Sequence, residues 1–393
     1  MNFSIVWVSA VLLDKINEFR NKNFAYFCRF GDERISGMER LFISEHAPVN
    51  VYEDAVGHMN NQFMKLVSEK ETIPIFVSYD FVDDIYPDII LKRSGWPQVS
   101  YIIPDEEYSQ PFTRTAESIK TASAGLPDTE LEKDIEFIIE RIKNGDLLQI
   151  VLSRRFNLED YDPLYILRKF MTGDRSLYVY YYKFGDLEII GSSPENLVSL
   201  HGNRIEIFPV AGTRRRGKTA EEDSILENDL KNDEKELLEH RMLVDLARND
   251  LGRICRPGSV KVEKSMNVEK FASVQHLVSR VSGIPETSGF GDILASVFPA
   301  GTVSGAPKKK AMTLINQYEK SPRGPYAGAL GIAGKDELDL ALLIRSLYRN
   351  SAENYTQAGA GIVKDSVPAK EVNEMYSKIL TVTGGLYEKD IDY

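Results

Sequence analysis

The runs LLQIVLSRRFNL (147–158), SLYVYYYKFGDLEIIGSSP (176–194) and NLVSLHGNRIEIFPVAG (196–212) constrain this chain more than any other feature. They are rich in β-branched and aromatic residues, which favours strands over helices. Gly202 and Asn203 mark a hairpin turn within the third run. Further along, strands and helices alternate irregularly and form no regular βαβ repeat. The expected fold class is therefore α+β, with large, mainly antiparallel sheets.

Ahead of this block, IPIFVSYDF (73–81) and QVSYIIP (98–104) are expected strands, and DAVGHMNNQFMKLVSE (54–69) an amphipathic helix. The apolar run Ile5 to Leu13 lacks a basic flank and is too short to span a bilayer, so a buried element is expected there and no membrane association. The polar stretch 108–130 shows no apolar periodicity. It is read as a loop and a candidate boundary between an N-terminal subregion (1–115) and a core (116–388). DTELEKDIEFIIERIKNGD (128–146) carries a helical period and ends at a glycine. A long charged helix is expected over 221–251, with Gly252 in the usual position of a left-handed cap.

With 393 residues, 42% of them hydrophobic, the chain can bury a substantial core. A net charge of −11 argues against broad binding to nucleic acid or anionic membranes. Cys28 and Cys255 are the only cysteines, which excludes a disulfide framework or a cysteine metal site and suits a reducing cytoplasm.

Two acidic pairs carry chemistry. In NDEKELLEHRMLVDLARNDLGRIC, Glu236 and Glu239 stand three residues apart and share one helix face. Leu238, Met242 and Leu246 are expected to turn the opposite face to the core. Asp233 as N-cap with Glu236 as its capping-box partner would also account for Glu236. DSVPAKEVNEMYSKIL begins a helix near Pro368 and repeats the spacing with Glu371 and Glu374. Surface pairing with Lys370 and Lys378 would explain these too. If the helices face each other, the two pairs make an oxygen-only site of the kind Mg2+ takes; the sequence leaves that open.

FPAGTVSGAPKKKAM lacks the Ser or Thr that follows the lysine of a phosphate-binding loop. Gly328, Gly331 and Gly334, and the QAGAGIV glycines, lack the acidic partner of a dinucleotide fold. These glycines are left as turns or as places where backbone approaches a small ligand. Arg345, in the apolar run LDLALLIRSLYR, needs a partner, either a nearby Asp or an anionic ligand. The three arginines of PVAGTRRRG (209–217) are expected to be solvated.

In chain order, LLQIVLSRR, GSSPEN, PVAGTRRRG, KELLEHRMLVDLARNDLGRI, VQHLVSRVSG, GTVSGAPKKKAM, GPYAGALG, LLIRS and QAGAGIVKDSVPAKEVNEM closely resemble the chorismate-utilising enzymes. Within that family they are most similar to the synthase subunits of anthranilate synthases. The likeness is dense over about 115–388. It implies two packed, mainly antiparallel sheets flanked by helices, with the active site between the sheets. It implies Glu239 and Glu374 as Mg2+ ligands, with Glu236 and Glu371 as neighbours. Glu195 resembles the general acid that helps the ring hydroxyl leave, and His276 the histidine needed for loss of pyruvate. Tyr326 and Arg345 would hold the enolpyruvyl carboxylate, assisted by backbone around Gly359 and Gly361. Gly212, Thr213 and Thr302 would line the ring pocket, Thr302 alongside the catalytic groups.

Two positions discriminate within the family. Members that add water carry Lys where Gln149 stands, and members that form aminodeoxychorismate use a lysine where Ala211 stands. Ammonia is left as the nucleophile, which implies anthranilate formed through aminodeoxyisochorismate. Aminodeoxychorismate and isochorismate synthases are the alternatives, and a non-enzymatic anion- or nucleic-acid-binding protein is a third. Neither cysteine lies in a nucleophile-elbow context, so the implied partner is a separate glutamine amidotransferase subunit. The family's tryptophan-feedback stretches survive only in fragments, in RLFISEH (40–46) and in Ser176 and Tyr178 of GDRSLY (173–178), which puts inhibition by tryptophan in doubt.

Overall fold

A computed structural model of the chain describes residues 11–31, 35–70, 72–114, 128–173, 176–270, 274–286 and 289–383. Every strand pair among them is antiparallel, and the strands gather into two sheets. The nine-stranded sheet runs through Gly305–Ala306, Gln149–Asn157, Asn354–Ile362, Ser346–Arg349, Leu187–Ser193, Tyr178–Phe184, Asn23–Phe30, Ser36–Ser44 and Glu106–Thr113. The ten-stranded sheet runs through Val210–Arg215, Val274–Gly283, Arg204–Ile207, Asn196–His201, Glu337–Leu342, Ala329–Gly334, Ile73–Val77, Val99–Tyr101 and Val49–Val51, with Lys261–Lys270 paired to Val274–Gly283.

The aromatic runs explain themselves through the two-residue period of a strand. Tyr178, Tyr180, Tyr182 and Phe184 face the ten-stranded sheet, while Val179 and Tyr181 face the helices outside. A strand covered on both faces must be apolar at every position, so it reads as a continuous run. Between the sheets Phe76 stacks on Phe184 with centroids 5.9 Å apart, and the Tyr182 hydroxyl donates across to Gly331 O at 2.7 Å. The helices Val11–Glu18 and Pro163–Gly173 cover the outer face at one end. Thr129–Lys143, Lys308–Tyr318 and Pro368–Thr383 cover the other.

Several local expectations hold. Ala55–Glu69 is helical, with a π-turn over Met59–Phe63. Asp128 caps Thr129–Lys143, and Gly202 turns the Asn196–Ile207 hairpin at φ 59°. The strand of 73–81 stops at Val77, and that of 98–104 is the short Val99–Tyr101. Of the N-terminal apolar run, 5–10 lie outside the described residues, while Leu12 and Leu13 are buried in a helix.

Others are corrected. The start of the polar stretch 108–130 is strand and not loop: it belongs to Glu106–Thr113, an edge strand exposed at most positions, so no apolar pattern betrays it. Of that stretch, 115–127 lie outside the described residues and 129–130 begin the helix Thr129–Lys143. The long charged helix is two, Ala220–Asn232 and Glu234–Gly252, broken where Asp233 adopts φ −75°, ψ 103°. Asp233 accepts from the Lys235 and Glu236 amides, so it is the N-cap. Gly252 supplies no left-handed cap; the helix ends on Arg253 in right-handed geometry. Leu238 is 63% exposed, and the core-facing stripe is His240, Leu243, Val244, Ala247 and Leu251.

Asp233 also pairs with Arg214 at 2.7 Å. Asp233→Ala is therefore expected to cost about 1–2 kcal/mol of stability, read as a lower urea midpoint, whereas Asp233→Asn keeps the cap acceptor and loses less.

Candidate active site

A cavity of about 340 Å³ opens between the sheets. One wall is the strand Asn354–Ile362. Its period puts Gln357, Gly359 and Gly361 on one face, and all three line the cavity. A Cβ on Gly359 would lie 2.7 Å from the Tyr326 hydroxyl and 2.8 Å from Leu152 O. A Cβ on Gly361 would lie 3.0 Å from Gln149 Nε2. These glycines keep the wall at the level of the backbone. Gly328 and Gly331 do something else: their hydrogens face Val77 O and Asp339 O on neighbouring strands, which is close strand packing.

The opposite wall comes from Val210–Arg215 and Val274–Gly283 and presents Ala211, Thr213 and His276. His276 Nδ1 lies 3.0 Å from Gly212 O and 3.0 Å from Thr213 Oγ1. A carbonyl only accepts, so the network puts the imidazole proton on Nδ1. Gly212 itself sits just behind this wall. Its φ of 67° is left-handed, and a Cβ there would meet Leu230 Cδ1 at 2.9 Å and Glu236 Oε2 at 3.2 Å.

Glu195 lies in the turn between Leu187–Ser193 and Asn196–His201 and reaches the cavity. Thr302 Oγ1 donates to its carboxylate at 2.6 Å. Burial pushes its pKa above the ordinary carboxylate value; the Thr302 bond, Arg345 and Lys378 pull the other way. Arg345 holds a left-handed φ of 53° in the turn before Ser346–Arg349. Asp339 is not its partner: that carboxylate pairs with Arg29 at 3.2 Å and accepts from Tyr178 at 2.7 Å. Tyr326, almost fully buried, completes this side.

The acidic residues of the two helices feel one another's charge. Burial raises the pKa of Glu239 first, and the charges of Glu236, Glu374 and Glu371 raise it further. Burial likewise raises Glu371, with Glu374 adding to it. Glu374 lines the cavity and pairs with Lys378 at 2.8 Å; Glu236 lies 3.5 Å from Arg214. Among the described residues, no three or more acidic, imidazole or thiol side chains are placed to hold a metal ion. What fits Mg2+ is the donor set: hard carboxylate oxygens whose mutual repulsion is only partly relieved, beside a cavity that leaves room for ligand oxygens.

The structure thus brings Glu195, Thr213, His276, Thr302, Tyr326, Arg345, Gly359, Gly361 and Glu374 to one cavity. Gly212, Glu236, Glu239 and Glu371 stand around it, outside its lining. Two polar lining residues, Lys378 and Gln357, were not among the expected site residues. Lys378 Nζ donates to Gly359 O at 2.8 Å, and its spacing of one helical turn after Glu374 was a signal. Gln357, two residues before Gly359, shares the glycine face.

The arginine run is ion-paired, with Arg215 still largely exposed and Arg214 and Arg216 only partly so. Arg214 pairs with Asp229 at 2.6 Å as well as with Asp233, Arg215 pairs with Glu222, and Arg216 holds Asp223 at 2.8 Å. Carboxylates of the Ala220–Asn232 helix consume these charges, which leaves little for a nucleic acid. Lys308 is likewise consumed, by Asp250 at 2.7 Å. No helix among the described residues is long and apolar enough to cross a membrane.

Residues 76–384 match the family of chorismate binding enzymes, and the chain belongs to that family. Among curated proteins it is 48% identical over 322 residues to anthranilate synthase component 1 of Aquifex aeolicus, covering 79% of this chain and 63% of that one. It is 46% identical over 250 residues to the same component of Acetivibrio thermocellus, covering 63% and 51%. The chain thus spans between half and two thirds of the length of these relatives. Among solved structures, anthranilate synthase component I of Streptococcus pneumoniae aligns over 92% of both chains with a TM-score of 0.71 and 30% identity. A putative 2,3-dihydroxybenzoate-specific isochorismate synthase of Bacillus anthracis aligns over 97% of this chain and 100% of that one with a TM-score of 0.73; at 23% identity it supports the fold alone.

Because the folded-state pKa of Glu239 is raised, its ionised form costs stability above that pKa, and the cost disappears below the ordinary carboxylate value. Glu239→Gln is therefore expected to raise the melting temperature at pH 8 in divalent-free buffer, by about 2 °C. The difference should vanish near about pH 4.

Proposed function

We propose that this protein converts chorismate and ammonia to anthranilate, pyruvate and water, as the synthase component of an anthranilate synthase. One observation carries this reading. The cavity joins a carboxyl poised to hold a proton, Glu195, to a cationic end at Arg345 that suits one carboxylate and to an acidic end that would suit a second through a divalent cation, and it offers no lysine at position 149 or 211. The remaining amine, Lys378, is engaged by Glu374 and by Gly359 O.

On this reading Arg345 and the Tyr326 hydroxyl hold the enolpyruvyl carboxylate, with the flat wall at Gly359 and Gly361 admitting it. Glu239 and Glu374, with Glu236 and Glu371 beside them, would hold Mg2+. When bound, the ion supplies positive charge that neutralises and orients the ring carboxylate. Ammonia forms a carbon–nitrogen bond to the ring as the bond to the ring hydroxyl breaks. Glu195 gives its proton to that hydroxyl, which leaves as water. The resulting aminodeoxyisochorismate loses a ring proton and its enolpyruvyl group as pyruvate, and the ring becomes aromatic. His276, with its proton on Nδ1, has Nε2 as the nitrogen that can take up a proton in this second step. A glutamine amidotransferase subunit supplies the ammonia. The catalytic role falls to 116–388, and the cavity lining begins only at Val151, which leaves the N-terminal subregion for partner or effector contacts. The two sparse, buried thiols suit the cytoplasm.

Purified protein given chorismate, Mg2+ and ammonium is expected to yield anthranilate fluorescence and pyruvate in equal amounts. Isochorismate or aminodeoxychorismate in their place would overturn the reading. Thr302→Val removes a bond that lowers the Glu195 pKa. The alkaline limb of the pH–rate profile, where Glu195 loses its proton, is therefore expected to move to higher pH in that variant.

A further inference from the structure

The structure assigns a ligand-binding role to Gln357, whose amide oxygen is held as an acceptor for the cavity by a relay from the buried ion pair Glu319–Arg323. The relay begins with a guanidinium and a carboxylate, each under 5% exposed. Arg323 donates to Glu319 through Nε at 2.9 Å and Nη2 at 2.6 Å. It also donates to Val303 O at 2.7 Å and to Val151 O at 2.8 Å. Both of those residues line the cavity. Burying such a pair is costly unless every lone pair and proton finds a partner, and here the spare ones are spent on the cavity wall.

Glu319 Oε1 in turn accepts from the Ser153 amide at 2.8 Å and from its hydroxyl at 2.7 Å. A hydroxyl has one proton, and Ser153 gives it to the carboxylate. Its oxygen can then only accept, and it accepts from Gln357 Nε2 at 2.8 Å. This fixes which way the Gln357 amide points: nitrogen toward Ser153, oxygen away from it. Gln357 is 2% exposed, lines the cavity beside Gly359 and Gly361, and its Oε1 has no hydrogen-bond partner. A buried, oriented, unpartnered carbonyl costs free energy that a ligand donor returns.

The donor it fits is a neutral N–H or O–H. A glutamine accepts a hydrogen bond without adding charge, as a cavity for a dianion requires. Given the proposed reaction, the two sources are the attacking ammonia and the ring hydroxyl of chorismate. Gln357→Met keeps the volume and removes the acceptor. Ser153→Ala leaves Gln357 in place and frees its amide to rotate; Ser153 does not line the cavity.

The inference rests on the chorismate reading, so wild type, both single variants and the double variant are assayed with chorismate and ammonium varied in turn. Gln357→Met is expected to raise one of the two KM values about fivefold to tenfold, with the melting temperature nearly unchanged. Ser153→Ala should raise the same KM by a smaller factor, and the double variant should match Gln357→Met alone, because both act through one bond. A moved ammonium KM identifies ammonia as the donor, and a moved chorismate KM the ring hydroxyl. An active wild type whose Gln357→Met variant keeps both KM values within about twofold overturns the inference alone. A wild type inert toward chorismate overturns the functional reading and the inference with it.

Discussion

The site exists because the strand Asn354–Ile362 gives up side chains at alternate positions on its inner face. Glycine in a strand interior costs about 0.5–1 kcal/mol relative to alanine. Here the neighbours offset it: the strand is laddered to Gln149–Asn157 on one side and to Ser346–Arg349 on the other. What the glycines give in return is proximity. The Tyr326 hydroxyl comes to the face of Gly359, Lys378 reaches its carbonyl, and Gln149 stands against Gly361. A methyl at Gly359 would displace the Tyr326 hydroxyl, and one at Gly361 would press on Gln149 Nε2.

The second constraint is electrostatic. On the proposed reading an acidic chain must hold a few cations where an anion binds, and it must stop its own carboxylates from quenching them. Asp339, which the sequence puts near Arg345, is held by Arg29, Tyr178, Asn196 and Ser199. The arginine triplet is spent differently. It ties down the Ala220–Asn232 helix, whose Leu230 packs under Gly212. Those arginines act through the shape of the wall.

These two constraints explain what could be read from the chain. Spacing is local, so the Glu pairs, the Asp233 cap and the doubly covered aromatic strands were legible. Partners distant in sequence were not. Nothing near Arg214–Arg216 says that the following helix will claim all three, and the helix break at Asp233 that makes this possible is one residue long. Leu238 was misplaced because a helix with several apolar residues on two sides does not reveal which stripe meets the sheet. Gln357 owes its orientation to Ser153, which lies 204 residues earlier. Period alone puts it on the right face but cannot say that its oxygen lacks a partner.

On the proposed reading glutamate does two jobs in and around this cavity, and the surroundings decide which. Glu239 and Glu371 are raised by burial together with other carboxylates. A divalent cation bound there, as proposed, would offset that repulsion and favour their ionised forms. Glu195 is raised by burial alone, and its neighbours Thr302, Arg345 and Lys378 all work to lower it. On the proposed reading the substrate carboxylate neutralises Arg345. That removes one of the influences favouring ionised Glu195, so the acid holds its proton more firmly once the dianion is in place. The proton is then retained until a leaving group needs it.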